Sequence, residues 1–552
     1  MQSYSFFGTI VNFATFFSFL IFFLIPRHIF KKKIISDMLV YVKGAKCVGI
    51  EAVPVTVEVD ISSGIGIHLV GLADAAVKES LLRTITALRS VGYRIPGKKI
   101  VINLAPADMH KKGSGYDLPI AVGIIAASGQ MELPLLDRFI VMGELGLDGS
   151  VRSIPGALPI AELAIQCGAQ GCVLPLESAM EASGYDRAVL YGVRSLEDVL
   201  RILSGQPCGD LLVSEDPASR FREGAAASQR KDNVMDFSEI VGQETAKRGL
   251  EVAAAGGHNV LLIGPPGAGK SSLSRATADI LPPMTREEAL QTSKIYSVAG
   301  KGFRGGGLMT RRPFRSPHYS ASVAALLGGG SDTILPGEVS LAHNGVLFID
   351  ELCEAPKSVI EMLRSPMEDR KVTISRLRSK IEYPASFMLI AATNPCPCGH
   401  YGDGDRCTCP PHRRNAYLAK LSGPLLDRID IHLWLNPVNV SELVTRKPQE
   451  NSASVARRVV EARRLQLERL QGAGISCNAQ MNSRQVRQHC RLSAQCRTFL
   501  EKVITENGFS ARAYDRILKI SRTIADLSSS QDITIEHISE AVGYRILDKL
   551  GL

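Results

Sequence analysis

The chain has 552 residues, of which 45% are hydrophobic and 22% are charged, and its formal net charge is +9. This length exceeds what one hydrophobic core supports, so about two to four domains are expected, and the composition is that of a folded soluble protein. Twelve cysteines are too few for a disulfide scaffold in a chain of this size, so we expect a reducing compartment and a cytoplasmic protein.

The first 37 residues form a hydrophobic extension. The 20 residues from Phe6 to Ile25 carry no charge and are long enough to span a bilayer, and Lys31–Lys33 would then keep the rest of the chain cytoplasmic. No basic stretch precedes the apolar run, so a signal peptide is not predicted. The other interpretation is a wrong start codon, with the protein beginning at Met38. A membrane is a partner only if residues 1–37 are translated.

An α+β domain is predicted for residues 38–205. Residues 75–92 have helical spacing, and strand-like runs occur at 53–62, 99–106 and 138–145. The next segment, 206–236, lacks periodicity and is rich in Ser, Ala, Asp and Arg, which is typical of a linker.

A parallel α/β sheet is predicted for residues 237–450. Its buried strands are HNVLLIG (258–264), GVLFIDEL (345–352) and FMLIAATN (387–394), with helices between them. Residues 451–552 contain amphipathic helical patterns, so we expect the chain to end in a small helical domain. The expected fold class is therefore multidomain α/β.

A phosphate-binding motif follows the first of these strands. GPPGAGKS fits the pattern G-x-x-x-x-G-K-[ST] in full, and its glycines let successive N–H groups and a helix N-terminus face the phosphates. Lys270 is expected to meet the β- and γ-phosphates, and the Ser271 hydroxyl to bind Mg²⁺. The predicted cofactors are thus ATP and Mg²⁺, bound by Gly264, Pro265, Pro266, Gly267, Ala268, Gly269, Lys270, Ser271 and Ser272.

The run VLFIDE (346–351) supplies the second half of a nucleotide site. It leaves Asp350 and Glu351 at the carboxyl end of a strand, where ligands bind in open α/β sheets. Asp350 is expected in the Mg²⁺ shell, and Glu351 is the candidate general base that polarises the attacking water. Asn394, at the end of the strand 387–394, is a candidate to hold that water.

Arg428, within GPLLDRID (423–430), is the candidate arginine finger. A guanidinium offered to the γ-phosphate across a subunit boundary stabilises the charge that develops during transfer. The alternative is an ion pair with Asp427 or Asp430, and spacing alone does not choose between the two.

Residues 396–409 read CPCGHYGDGDRCTC, two Cys-x-Cys pairs around a Gly-rich loop. Four thiolates can bind a structural Zn²⁺ tetrahedrally, and here they are Cys396, Cys398, Cys407 and Cys409. His400 and His412 are spare ligands, and a chance cluster of free thiols is the alternative. Because the loop lies between Asn394 and Arg428, replacing Cys396 and Cys407 by serine is expected to weaken assembly before nucleotide affinity.

Several long motifs together resemble a known family. The similarity lies in RRPFRSPHYSASVAALLGGG…PGEVSLAHNGVLFIDEL (311–352), AATNPCPCGHYGD…CTCP and SGPLLDRIDIH, which resemble the magnesium-chelatase-type AAA+ ATPases and, more closely, the bacterial ComM/YifB proteins. The resemblance covers residues 38–552 and implies a homohexameric ring with nucleotide between subunits. It also implies sensor 1 for Asn394, the finger for Arg428, sensor 2 for Arg512 on a helical lid, and a pore-facing insertion around residues 314–322.

The first domain resembles the Lon-protease catalytic domain in KKGSGYDLPIA (111–121) and GELGLDGSVRSIPGALPIA (143–161). Asp117 stands at the position of the nucleophilic serine and Leu158 at that of the lysine, and no acyl-enzyme forms without an activated nucleophile. A shifted alignment would bring Ser114 to the serine position. With the Ser-Lys pair missing, we expect a scaffold and not an active protease.

The resemblance implies an ATP-driven DNA motor, a branch-migration helicase that promotes homologous recombination in natural transformation. Its expected partner is single-stranded or branched DNA, with no small-molecule substrate other than ATP. Arginine contacts to phosphate give sequence-independent binding, and the candidates are Arg457, Arg458, Arg463, Arg464, Arg484, Arg487 and Arg491, with Arg311, Arg312 and Arg315 on the pore side. The alternative is a magnesium-chelatase-like or chaperone-like ATPase that remodels a protein partner.

Overall fold

The computed structural model describes residues 39–545 apart from 73, 112, 186, 214–234, 303–305, 331–333, 377–378, 403–405, 422 and 438–448. The hydrophobic extension and most of the predicted linker lie outside this description. Within the described ranges, no helix has the length and apolarity needed to cross a membrane.

A seven-stranded mixed sheet organises the first domain. Its strands are β1 (Val40–Val48), β2 (Glu51–Ser62), β3 (Gly66–Val70), β4 (Lys99–Ala105), β5 (Phe139–Val141), β8 (Gly171–Pro175) and β9 (Val189–Val193), while β6 (Glu144–Leu145) and β7 (Val151–Arg152) form a separate hairpin. The strand order is β3-β4-β2-β1-β5-β8-β9. The helices are Ala75–Ser90, Asp117–Ala127, Ala157–Gln166, Leu176–Ala182 and Leu196–Leu203.

Burial patterns explain this packing. Alternate residues of β2, from Val55 to Ile61, are buried, as expected for a strand with one face on the core. The helix Asp117–Ala127 is buried along its whole length, because it packs against β1 and β2 inside the domain. Its apolar sequence therefore has no solvent-facing side.

A five-stranded parallel sheet forms the centre of the second domain. Its strands are β10 (Val260–Ile263), β11 (Phe314–Arg315), β14 (Val346–Ile349), β17 (Met388–Thr393) and β18 (Ile431–Trp434), in the order β11-β14-β17-β10-β18. Every residue of β10, β14 and β17 is buried, as expected for parallel strands covered on both faces. Two hairpins lie outside it, β12 (Gly328–Gly329) with β13 (Leu335–Pro336), and β15 (Lys371–Arg376) with β16 (Ser379–Pro384).

Helices surround this sheet and then complete the chain. Those of the sheet domain are Glu244–Gly256, Lys270–Ile280, Arg286–Val298, Val323–Leu327, Glu338–Leu341, Lys357–Met362, Arg364–Asp369, Pro411–Leu418 and Gly423–Leu426. The C-terminal helices are Ser452–Arg469, Ser483–His489, Ala494–Asn507, Ala511–Leu527 and Ile535–Gly543, and they share a hydrophobic core with one face of the sheet. The predicted parallel sheet and helical C-terminus are thus confirmed.

The segment 314–322, expected in a pore-facing insertion, begins inside the sheet. Phe314 and Arg315 form the edge strand β11, and the Phe314 ring stacks on Phe348 with 6.0 Å between centroids. Arg315 forms an ion pair with Glu338 at 2.6 Å. Phe314 and Arg315 therefore form the edge of the sheet, and the pore-facing position of the segment stays a prediction.

The first domain docks on the second through the helix Arg286–Val298. Gly156 N–H donates to the Ser297 carbonyl at 2.9 Å, and Lys294 pairs with Glu162 at 2.5 Å. Leu158 is 1% exposed and packs in a cluster with Met284, Ala289 and Leu308. The position expected for a protease lysine is therefore an apolar contact between domains.

Candidate nucleotide site and cysteine cluster

The phosphate-binding loop joins β10 to the helix Lys270–Ile280. Gly267 has φ 79° and Gly269 has φ 87°, conformations that favour glycine, and a Cβ at either position would meet no atom within 4 Å. The Gly264 N–H donates to the Thr393 carbonyl at 3.2 Å, which fixes the start of the loop to β17. The phosphate-binding loop is thus fixed to the sheet at its first residue, and the space beside Gly267 and Gly269 is open to a phosphate group.

Lys270 lies across the loop. Its Nζ donates to the carbonyls of Gly264 at 2.6 Å and Pro265 at 3.0 Å, and to Asn394 Oδ1 at 3.0 Å. Burial lowers the pKa of Lys270, while the charges of Asp350 and Glu351 oppose that shift. The ammonium is therefore held where the motif predicts phosphate contact, beside the candidate sensor residue.

Ser271 and Asp350 come together at the end of β14. The Ser271 hydroxyl donates to Asp350 Oδ2 at 2.9 Å, and the Glu351 N–H donates to Asp350 Oδ1 at the same distance. A hydroxyl beside a carboxylate is a set of hard oxygen donors of the kind that Mg²⁺ prefers. These residues fit the predicted metal.

Glu351 has an uncommon backbone conformation. Its φ is 52°, in the left-handed region, and its side chain is exposed above the strand end. Such strain persists where the surrounding structure enforces it and is concentrated at functional sites. The conformation is consistent with a group that must face a bound water.

The Arg428 backbone lies at the amino ends of the sheet strands, whereas the phosphate-binding loop lies at their carboxyl ends. Asn259, which precedes β10, donates from Nδ2 to the Arg428 carbonyl at 3.0 Å, whereas the phosphate-binding loop follows β10. The Arg428 guanidinium pairs with Glu368, and its side chain is 11% exposed. Neither acid considered from the sequence is its partner, since Asp427 pairs with Arg512 and Asp430 with Arg516.

Arg512 lies near Arg428, at the same end of the sheet strands. It lies in the first turn of the helix Ala511–Leu527 and pairs with Asp427 at 3.0 Å, with 65% of its side chain exposed. The two arginines predicted as finger and sensor 2 therefore lie together, away from the nucleotide loop of their own chain.

Four cysteine sulfurs converge beyond β17. Those of Cys396, Cys398, Cys407 and Cys409 all lie within 4.8 Å of one another, and in the described part of the chain no histidine nitrogen joins this set. Burial raises the pKa of Cys396 to about 11, whereas the backbone N–H of His400 helps to lower that of Cys398 to about 6. The group can hold a metal ion without His400 or His412.

Most basic residues expected to contact DNA are engaged within the chain. Arg463 donates to the carbonyls of Ala254 and Ala255 and is 9% exposed. Carboxylates pair with Arg311, Arg312, Arg315, Arg458 and Arg464. By contrast, no side-chain partner occurs within the described ranges for the exposed residues Arg484, Arg487, Arg491 and Arg497. Fewer arginines are therefore available to bind DNA than the sequence indicated.

Sequence reasoning missed two residues that touch the phosphate-binding loop. Gln243 has φ 60° and donates from Nε2 to the Asn436 carbonyl at 2.7 Å and the Ala268 carbonyl at 3.4 Å. Gly399, within the cysteine loop, packs on Pro266. For Gln243 the sequence signal is the preceding glycine, Gly242, and nothing local indicated the contact of Gly399.

The first domain has no protease-like pair at the expected positions. Asp117 is fully buried and accepts from Arg83 at 2.9 Å and from the Leu145 N–H at 3.2 Å. Ser114 donates its hydroxyl to Glu144, and the Lys111 ammonium donates to the Pro106 carbonyl. A serine bonded to a carboxylate differs from the amine-activated nucleophile of a Ser-Lys pair.

Three sequence families match successive parts of the chain. Residues 57–178 match "Subunit ChlI of Mg-chelatase", residues 236–443 match "Magnesium chelatase, subunit ChlI", and residues 449–545 match "Magnesium chelatase, subunit ChlI C-terminal". The matches reach from the first domain to the last helices.

Relatives of similar length share much of the sequence. The chain is 42% identical over 522 residues to uncharacterized protein YifB of Escherichia coli K12, covering 91% of this chain and 96% of that protein. It is 42% identical over 507 residues to competence protein ComM of Haemophilus influenzae, with the same coverage of both. It is 29% identical over 209 residues to the magnesium-chelatase 67 kDa subunit of Chlorobaculum tepidum, covering 37% of this chain and 27% of that subunit.

Proposed function

The chain belongs to the ComM/YifB family of magnesium-chelatase-like AAA+ proteins, and from this premise we propose that it is a ring-forming ATPase that moves on DNA. The complete phosphate-binding motif and the paired Ser271 and Asp350 support nucleotide hydrolysis. The match to a competence protein supports a role in handling incoming DNA. The proposed activity is branch migration that promotes homologous recombination in natural transformation.

Each proposed catalytic residue has a separate task. Bound MgATP supplies a γ-phosphoryl group for transfer to water. Lys270 binds the phosphates, Ser271 and Asp350 hold the metal, and Glu351 accepts the proton of the attacking water. Asn394, already within hydrogen-bond distance of Lys270, orients that water beside the phosphate.

The position of the two arginines is the observation that carries the ring proposal. Five residue steps along β10 separate Asn259 from Gly264, roughly 16 Å at the rise of a β-strand. Arg428 is bonded at the Asn259 end, so it does not reach the phosphates of its own chain. We propose that Arg428 and Arg512 instead serve the nucleotide of a neighbouring subunit, and a homohexamer with head-to-tail contacts would provide that arrangement. Releasing Arg428 from Glu368 would then accompany assembly.

The exposed arginines of the C-terminal helices support a nucleic-acid partner. Within the described structure, no side-chain partner occurs for the guanidinium groups of Arg484, Arg487, Arg491 and Arg497. By contrast, carboxylates pair with Arg458 and Arg464, and Arg463 donates to backbone carbonyls. Phosphate binding by such residues is independent of sequence and falls with salt, as a motor on single-stranded or branched DNA requires.

For the first domain we propose a Lon-like scaffold without protease activity. Leu158 packs against the ATPase domain, and Asp117 is bonded to Arg83, so both positions have structural roles. The docked helix Arg286–Val298 links this scaffold to the nucleotide domain. Its proposed task is to support ring assembly.

The second candidate function is a chaperone-like ATPase that remodels a protein. The match to a magnesium-chelatase subunit and the extensive pairing of basic residues favour it. ATPase rates with and without DNA separate the two functions. Stimulation by a four-way junction supports the DNA motor, whereas stimulation by a protein partner alone supports the chaperone.

A four-way-junction migration assay tests the leading proposal directly. Wild-type protein should convert the junction to duplex products in the presence of ATP and Mg²⁺. Lys270→Ala should fail to bind nucleotide productively, and Glu351→Gln should bind it but hydrolyse it slowly. Equal behaviour of all three proteins would eliminate the motor.

A further inference from the structure

The cysteine cluster has the dimensions of a metal site. Sulfur–sulfur distances are 3.3 Å for Cys396 to Cys398 and 3.7 Å from Cys407 to each of these. Zinc–sulfur bonds of about 2.3 Å in a tetrahedron place the sulfurs roughly 3.8 Å apart, whereas a disulfide requires about 2.05 Å. All twelve cysteines of the chain are free thiols, so the four sulfurs gather without a covalent bond.

Backbone groups are also arranged around these sulfurs. The N–H groups of Gly399 and Tyr401 donate to Cys396 Sγ, and that of His400 donates to Cys398 Sγ. Hydrogen bonds of this kind stabilise thiolates and orient metal ligands. The loop therefore has the hydrogen-bond donors that stabilise thiolates. Four adjacent thiolates repel one another, so such a group requires a bound cation.

The same loop presses on the nucleotide cradle. A Cβ at Gly399 would lie 3.0 Å from Pro266 Cδ, so the turn and the phosphate-binding loop are in direct contact. On its other side the Tyr401 ring meets Trp434 edge-on at 6.1 Å, and Trp434 pairs with Ile263 at the end of β10. Both contacts therefore lie at the carboxyl end of β10, where the phosphate-binding loop begins.

We propose that Cys396, Cys398, Cys407 and Cys409 bind one structural Zn²⁺, and that the zinc site positions the phosphate-binding loop through the contact of Gly399 with Pro266. The second half of this inference rests on the proposed binding of ATP. This proposal replaces the expectation that the cysteine cluster acts first on assembly, because the loop between the cysteines contacts the phosphate-binding loop itself. The Gly399 turn is a positioning element and does not contact the reacting atoms.

Metal content tests the first half. Full-length protein purified under reducing conditions, without a metal-affinity step, should contain about one zinc per chain by mass spectrometry of the metals. Cys409→Ser should lose most of that zinc, whereas Cys167→Ser, a change at an exposed and isolated thiol, should retain it. Iron in place of zinc, four freely titrating thiols in the wild type, or a disulfide between them would overturn the assignment.

Nucleotide affinity tests the second half with a matched pair of glycine variants. Gly399→Ala introduces a methyl group against Pro266, whereas Gly402→Ala, at a similar φ of 89°, meets Trp434 only at 3.7 Å. Both variants should keep their zinc. Gly399→Ala should weaken the binding of a fluorescent ATP analogue on the order of tenfold relative to Gly402→Ala, equivalent to about 1.4 kcal/mol.

Removal of zinc from the wild type by a chelator should weaken nucleotide binding in the same direction, which covers the case in which Cys409→Ser fails to fold. Unchanged affinity in both the chelated protein and Gly399→Ala would refute the positioning role. A wild-type chain that holds zinc but binds no ATP would defeat the proposed function and leave the metal site intact. Neither measurement requires DNA, so failure of the DNA proposal is distinguishable.

Discussion

Mixing two inactive variants tests whether Arg428 acts on a neighbouring subunit. Arg428→Ala removes the guanidinium but keeps Glu351, and Glu351→Gln does the reverse. Each change alone should lower the ATPase kcat on the order of 10³-fold, through loss of charge stabilisation or of the base. The structure separates the arginine backbone from the phosphate-binding loop of its own chain by the five residue steps from Asn259 to Gly264, about 16 Å.

That separation fixes the expected result of mixing. In a ring assembled at random from equal amounts of the two variants, a site is intact when an Arg428→Ala subunit is followed by a Glu351→Gln neighbour. This order occurs at about one quarter of the sites when contacts are head-to-tail, so about one quarter of wild-type activity should return. If Arg428 served its own chain, no site would be intact.

The assay compares ATPase rates of differently tagged, co-expressed subunits purified through both tags. A mixture of Lys270→Ala with Glu351→Gln is the matched control, because both changes damage the same pocket and no arrangement of subunits restores a site. Activity in the first mixture no greater than in this control would refute the assignment of Arg428 to the neighbouring nucleotide.

Three further predictions concern the remaining surfaces. Replacing Arg487 and Arg491 together by alanine should weaken DNA binding and reduce the slope of log affinity against log salt by about 2, whereas Arg464→Ala, which removes a guanidinium already paired with carboxylates, should change little in fluorescence-anisotropy titrations. Leu158→Ala should destabilise the contact between domains by about 2–5 kcal/mol, measured by chemical denaturation, because the side chain is fully packed; unchanged stability would contradict the interdomain role. Wild-type protein and Ser114→Ala should be equally inactive on an unfolded protein substrate with ATP, and cleavage by the wild type alone would restore the protease hypothesis.

Local motifs carried much of the prediction. The strand of four apolar residues before GPPGAGKS and the run ending in Asp350 and Glu351 each encode their own geometry, because hydrophobic runs bury strands and glycines permit the turn. The structure brings Lys270, Ser271, Asp350 and Asn394 together, although their catalytic roles stay predictions. Membership of the magnesium-chelatase-like family, expected from the longer motifs, is confirmed.

The partners of the charged side chains could not be predicted from the sequence. The arginine-rich C-terminal segment indicated a broad basic surface, but Arg458 and Arg463 turn inward to acids and carbonyls of the helix Glu244–Gly256. Phe314 and Arg315 likewise belong to the sheet edge, since a two-residue strand leaves almost no periodic signal. The domain boundaries proposed from composition remain predictions.

The sequence by itself determined the chemistry available to this protein: a phosphate cradle, a hydroxyl and carboxylate for Mg²⁺, and four clustered thiols. Each of these residues lies in a short local motif, so the spacing within each motif was sufficient to identify it. Only the tertiary structure decided that Arg428 and Arg512 lie at the end of the strands opposite the phosphate-binding loop, and that Gly399 contacts Pro266. Such relations arise when parallel strands align distant segments, and the order of strands in a sheet is not written in any local pattern.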